Sequence, residues 1–163
     1  EAKKLAADGV RLKVIGSRER FSPRLMDAIK EAESVACGVE STLVIAADYG
    51  GKWDIANAAR RLAEQVAAGV ITPDQVTEDA IEPFMSTDGL PPLDLLIRTG
   101  GEHRISNYLL WQAAYSELYF SPLLWPDFNA DAMNVAADDF QSRQRRFGKT
   151  SEQIEAGMGD SSA

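Results

Sequence analysis

The chain has 163 residues, 45% of them hydrophobic, enough to bury one core, and its length sets the expectation at a single domain. With 25 acidic against 17 basic side chains its formal net charge is -8, so its overall field repels nucleic acid and anionic lipid surfaces, and an anionic ligand must be held by a local cluster of cations. No apolar run reaches the roughly 18 residues of a membrane span and no signal peptide opens the chain. The single cysteine, Cys37, next to Val35, Ala36 and Gly38, reads as a small packed hydrophobe in a reducing cytoplasm.

Residues 1–7 read as the last turns of a helix stopped by Gly9, and 10–16 (V-R-L-K-V-I-G) alternates as a strand. The beginning at Glu1, within a helix-like E-A-K-K-L-A-A-D-G, reads as a cut made inside a domain. Ser22 and Pro23 open a helix in which Leu25, Met26, Ile29, Ala32, Val35 and Ala36 keep one face apolar as far as Gly38. The apolar run at 41–47 (S-T-L-V-I-A-A) predicts a strand covered on both faces, ending at Asp48, Tyr49 and two glycines. A helix follows from Asp54, as its N-cap, to Ala68, with Ile55, Ala58, Ala59, Leu62 and Val66 on one side.

Thr72 with Pro73, and then 77–84, give two shorter helical pieces, and 86–92 (S-T-D-G-L-P-P) is a loop. Residues 93–97 form the next buried strand, 107–115 a strongly apolar helix, and 118–120 a last short strand. Asn129 caps a helix running to Phe147, and 149–163 is a polar tail expected to be disordered. This alternation predicts an α/β fold with a mainly parallel central sheet flanked by helices. In such sheets ligands bind beyond the carboxyl ends of the strands, where both glycine-bearing loops fall.

The segment 93–120, L-D-L-L-I-R-T-G-G-E-H-R-I-S-N-Y-L-L-W-Q-A-A-Y-S-E-L-Y-F, is the most informative, because a buried strand ends in a dense polar cluster. Gly100 and Gly101 permit unusual dihedrals and close approach of backbone to a ligand, and Arg98 and Arg104 offer guanidinium forks for phosphate oxygens. Ser106 is placed where a helix N-terminus would present free amides. These features outline a diphosphate site. Each residue also has a plainer reading: Arg98 in an ion pair with Glu102 or Asp94, Ser106 as a simple cap, Glu102 as a loop anchor paired with an arginine. His103, the one histidine of the chain, suits proton transfer or a hydrogen-bonding role in the loop. Glu117, a carboxylate among aromatics, needs a cation or a donor, and an arginine would serve.

Together with W-P-D-F at 125–128, Y-G-G-K-W-D at 49–54 and R-R-F-G at 145–148, this segment resembles the cis-prenyltransferases, and within them the bacterial undecaprenyl diphosphate synthases. The resemblance runs from about Val10 to Gly148. It implies that Arg98, Arg104, Ile105 and Ser106 bind isopentenyl diphosphate, that Glu117 holds Mg2+ with an aspartate from a loop this chain lacks, and that His103 is at most an accessory group. It further implies that Arg146 and Gly148, an R-x-G motif, reach the substrate diphosphate of the neighbouring subunit in a homodimer. Without the family motif, Arg145 to Gly148 would read as capping of the last helix.

The reaction implied condenses isopentenyl diphosphate with an allylic diphosphate, farnesyl diphosphate being expected, into a long polyprenyl diphosphate such as undecaprenyl diphosphate, the lipid-carrier precursor for cell-wall synthesis. Its product would be delivered to the membrane, so a cytoplasmic enzyme would work at the membrane periphery. The apolar residues 43–45, Leu109 and Leu110 could line the tunnel for the growing product. The chain departs from the family pattern in two ways. It has no counterpart of the H-x-x-x-x-D-G-N-x-R motif or of S-S-E-N-W, so 1–148 reads as the larger C-terminal part of one prenyltransferase domain, inactive alone. It also has Asp48 where the family has Asn, which removes an amide donor and adds a charge that a cation or backbone amide must meet beside a diphosphate. Lys52 reads as a solvated charge. The rival reading is a non-catalytic partner subunit that keeps the R-x-G end.

Overall fold

The structure is a computed structural model, described over residues 2–35 and 41–143. The chain separates into two compact units, Glu1–Pro91 with Asn107–Trp111, and Pro92–Ser106 with Gln112–Ala163. Cys37, Arg145, Arg146, Gly148 and the tail at 149–163 lie outside the described residues.

In the first unit helix α1 (Ala2–Ala7) stops at Gly9, whose φ of 73° favours a residue without a Cβ, and leads into β1 (Val10–Ile15). Helix α2 (Pro23–Ser34) begins as expected, with Ser22 accepting from the Leu25 amide and Pro23 in the first turn, and it ends at Ser34 rather than continuing to Gly38. Strand β2 (Ser41–Ala46) pairs in parallel with β1, in register from Val10 opposite Ser41 to Ile15 opposite Ala46. Val14, Ile15 and Ile29 are buried in this layer. The expectation that β2 is covered on both faces does not hold: period-two alternation puts Leu43 and Ile45 on one face, where they are 44% and 46% exposed.

Helix α3 (Gly51–Ala67) buries Gly51, Asp54, Ala58 and Leu62, a spacing that keeps one helical stripe inward. It starts three residues before the expected N-cap, and Asp54 lies wholly buried inside its first turn. Thr72 opens a 3-10 turn at Pro73–Gln75, and Thr77 caps the short α4 (Glu78–Ile81), followed by another 3-10 turn at Glu82–Phe84. Arg61 lies 4.9 Å over the Phe84 ring and donates to the Phe84 carbonyl at 3.2 Å, tying α3 to that turn.

In the second unit β3 (Leu95–Arg98) pairs in parallel with β4 (Glu117–Phe120), Leu95 opposite Glu117 and Arg98 opposite Phe120. Asn129 caps α5 (Ala130–Ser142), accepting from the Ala132 amide at 3.0 Å. The helix stops at Ser142, short of the expected Phe147, because Arg143 turns extended and its amide closes on the Phe140 carbonyl. Leu96 and Ala136 are buried here. Both ladders are parallel, as an α/β chain requires.

The expected apolar helix at 107–115 is absent; only a 3-10 turn at Gln112–Tyr115 forms. Ser106 and Leu109 have φ of 53° and 45°, which no right-handed helix can contain. Asn107 is drawn instead to the start of α3, where its carbonyl accepts from the Gly51 amide at 2.7 Å and its side-chain oxygen from the Lys52 amide at 2.8 Å.

Candidate anion site

The site is the loop after β3. Arg98 closes the strand and turns back across the loop, its Nη1 donating to the Arg104 carbonyl at 2.6 Å and to Ser106 Oγ at 3.0 Å. Both acceptors are neutral, so these bonds leave the guanidinium charge uncancelled. Glu102 pairs with Arg104 instead, which is the loop-anchoring role read for it in the sequence. Arg104 keeps 62% of its side chain in solvent while paired with Glu102. Ser106 is thus no helix cap but the acceptor that fixes Arg98. Ile105 is half-buried between these exposed neighbours.

Gly100 and Gly101 have φ of 88° and 71°, and a Cβ on either would meet nothing within 4 Å. They are glycines for their dihedrals, not for crowding. Their amides are not offered to a ligand: Gly100 donates to the Leu123 carbonyl at 2.7 Å and Gly101 to that of Ser121 at 3.0 Å. The approach of backbone to an anion expected at these glycines is therefore replaced by a tie to the segment after β4. At these two glycines the loop presents no amide, and its arginines are the cations it carries. His103 is exposed, its ring 5.2 Å from that of Phe120 and tilted by 43°.

Glu117 opens β4, its amide donating to the Asp94 carbonyl at 2.9 Å. Its carboxylate Oε2 accepts from Arg143 Nη1 at 2.9 Å, so the arginine pair of the plainer reading is present. That guanidinium also donates to the Leu118 carbonyl at 3.0 Å and to Asp139 Oδ2 at 2.5 Å. The Glu117 hydrogen bond, followed by the Asp139 contact, raises the Arg143 pKa. No group of three or more His, Cys, Asp or Glu side chains that could hold a metal gathers among the described residues. Glu117 begins the ladder opposite Leu95, three residues before Arg98, and a half-buried carboxylate of this kind fits Mg2+ as one of the one or two carboxylates the ion takes with phosphates and waters.

The second glycine pair, in Y-G-G-K-W-D, is built differently. A Cβ on Gly50 would lie 2.6 Å from Asn107 Nδ2, and one on Gly51 2.7 Å from Leu110 Cγ. Asp54 accepts from the Ser86 amide at 2.9 Å, Ser86 Oγ at 2.7 Å and Tyr49 OH at 2.9 Å. Asp48, with φ of 51°, pairs with Arg20, which meets the charge that the departure from Asn introduced and holds its carboxyl below the usual range. A concavity of about 690 Å³ beside α3 and α4, lined by Leu62, Val66, Val76, Ile81 and Trp111, has Glu78 as its one charged lining residue and so has no cation for a diphosphate.

Sequence reasoning missed Asn107, Arg143 and Arg20 as partners. The need of Glu117 and Asp48 for a cation was visible, but not which arginine would supply it.

The parallel ladders and their accompanying helices define an α/β protein, with a loop carrying two arginines beyond β3. The chain belongs to the prenyltransferase family described as "Putative undecaprenyl diphosphate synthase", which it matches over residues 1–148. It is 57% identical over 158 residues to the ditrans,polycis-undecaprenyl-diphosphate synthase ((2E,6E)-farnesyl-diphosphate specific) of Pseudomonas putida, covering 96% of this chain and 63% of that protein. An isoprenyl transferase of Neisseria gonorrhoeae is 49% identical, over 97% of this chain and 62% of its own length. The chain thus spans less than two thirds of these relatives. Among solved structures, lavandulyl diphosphate synthase from Lavandula x intermedia, in complex with dimethylallyl diphosphate, superposes with a TM-score of 0.86 at 36% identity, covering 91% of this chain and 65% of that one. No described helix is long and apolar enough to cross a membrane.

Proposed function

We propose that the full-length protein is a cis-prenyltransferase that extends farnesyl diphosphate with isopentenyl diphosphate to undecaprenyl diphosphate. The observation that carries this reading is the Arg98–Arg104–Ser106 loop, set in a chain 57% identical to a relative named for that product and for farnesyl diphosphate. Arg98 is a preset cation whose position is fixed by two neutral acceptors. Arg104 is the adjustable one, able to exchange Glu102 for a diphosphate oxygen. Ser106 offers a hydroxyl to the same diphosphate, Ile105 packs beside it, and His103 serves as an accessory group at the loop surface. Holding isopentenyl diphosphate still beside the allylic carbon supplies much of the rate by positioning.

Glu117 is proposed to hold Mg2+ together with an aspartate supplied by sequence outside this chain. When bound, the ion stabilises charge on the departing diphosphate. Arg146 and Gly148 are proposed to complete the diphosphate site of the neighbouring copy in a homodimer. The tunnel for the growing product would draw on the exposed face of β2 that carries Leu43 and Ile45. The 163 residues alone are expected to be inactive.

Steady-state kinetics of the full-length protein, with farnesyl and isopentenyl diphosphates as substrates, test this. Arg104→Ala should raise KM for isopentenyl diphosphate about tenfold or more while moving that for the allylic substrate little, a tenfold change being about 1.4 kcal/mol. Equal small changes for both substrates would remove the assignment. A full-length protein with no condensing activity would favour a non-catalytic partner subunit.

A further inference from the structure

Glu117 is held by a guanidinium that has more to do than pair with it. Arg143 stands just past the end of α5, where the chain turns extended, and bonds three acceptors at once: Glu117 Oε2, the Leu118 carbonyl and Asp139 Oδ2. Three fixed acceptors define the plane of the fork, so the position of Glu117 is set by α5 as well as by its own strand. The second acid matters equally. A lone arginine against Glu117 would cancel its charge and repel a divalent cation, whereas Asp139 adds a carboxylate and leaves the trio of Glu117, Asp139 and Arg143 with one net negative charge.

We infer that Arg143 and Asp139 are positioning residues for a divalent cation at Glu117: Arg143 fixes one carboxylate oxygen so that the other serves the metal, and Asp139 offsets the repulsion Arg143 would otherwise exert. This rests on the proposed metal role of Glu117. It assigns to α5 a part in metal binding through groups that do not touch the metal, the outer-shell orientation that tunes metal sites generally. A mere structural tie between α5 and β4 would use the same bonds, but its loss would alter stability and leave metal affinity unchanged.

The test uses Mn2+ as the probe, titrated by electron paramagnetic resonance into the full-length protein without substrate, alongside denaturation of each variant. Glu117→Gln should abolish the tight site. Arg143→Met should weaken Mn2+ binding about tenfold, and Arg143→Lys less, since an ammonium keeps the charge and part of the bonding. Asp139→Asn, on the α5 surface with 42% of its side chain exposed, should weaken it several-fold with little change in unfolding, so the inference stays testable if Arg143→Met fails to fold. Parent-like or tighter binding in the Arg143 and Asp139 variants, with binding lost in Glu117→Gln, would overturn the positioning role and leave the metal role standing. Parent-like binding in Glu117→Gln would remove both.

Discussion

Two loops of this chain carry a glycine pair at the carboxyl end of a parallel strand, and they use it for opposite reasons. In Y-G-G the glycines are needed because neighbours press on them: Asn107 against Gly50 and Leu110 against Gly51, with Gly50 itself in ordinary extended backbone at φ -149°. In R-T-G-G the space around both glycines is open and the backbone is left-handed. The same dipeptide is a packing device in one place and a conformational device in the other. What the loops hold differs accordingly. The first surrounds a buried carboxylate with donors, and the second folds Arg98 back on its own neutral acceptors and leaves Arg104 mostly in solvent.

The comparison breaks most severely at Asp54. Its removal in Asp54→Ala leaves the Ser86 amide, the Ser86 hydroxyl and the Tyr49 hydroxyl without their acceptor in a wholly buried place, and should cost about 3 kcal/mol or more. Urea denaturation of the full-length protein reads this directly; a loss of well under 1 kcal/mol would show that water or another acceptor replaces the carboxylate. Next comes Gly51→Ala, whose Cβ would meet the Leu110 backbone nitrogen at 2.9 Å as well as its side chain, and which should cost about 2 kcal/mol by overpacking.

Gly101→Ala meets no neighbour and should cost only the left-handed backbone penalty, about 1 kcal/mol, with Gly101→Asn milder because Asn tolerates that region. If the order of Gly51→Ala and Gly101→Ala reversed, crowding would not be what distinguishes the loops. The smallest effect is expected at the exposed Arg20–Asp48 pair. Because Asp48 is held below its usual pKa by Arg20, its contribution is fully present above the unfolded value of about 3.9 and fades as pH falls through the lower folded value. The stability difference between parent and Asp48→Asn should therefore be flat near neutrality and shrink in acid; a difference that grew below pH 4 would contradict the pair.

Features written in adjacent residues were legible in the sequence. Ser22 with Pro23, Asn129 and the stop at Gly9 mark helix ends by local bonding, and alternating or continuous apolar runs mark the four strands among the described residues. The arginine loop was legible as chemistry, though not as geometry. The rest depends on partners far apart along the chain: Arg20 reaches Asp48 across 28 positions and Arg143 reaches Glu117 across 26. Nothing in the local pattern of either carboxylate names its partner. The apolar run at 107–115 does not disclose left-handed backbone at Ser106 and Leu109, which are not glycine, and so it resembles a helix that does not form. Asp54 suits a cap by type, but α3 begins at Gly51, which carries Asp54 into the buried first turn, where it accepts from Ser86 and Tyr49 instead.

The contact of Asn107 with the start of α3 has a consequence for the order in which this part of the chain becomes protected from solvent. The first amides of a helix ordinarily exchange their hydrogens readily, since no intrahelical acceptor holds them. Here the amides of Gly51 and Lys52 are held by a residue that lies 55 positions after Lys52. They cannot be secured until the intervening chain has folded, and they cannot be released by local fraying of α3 alone. Their hydrogen-exchange rates should thus follow the opening of the long-range closure, and Asn107→Ala, which removes the side-chain acceptor but keeps the carbonyl, should speed exchange of the Lys52 amide while Gly51 and the middle of α3 stay slow.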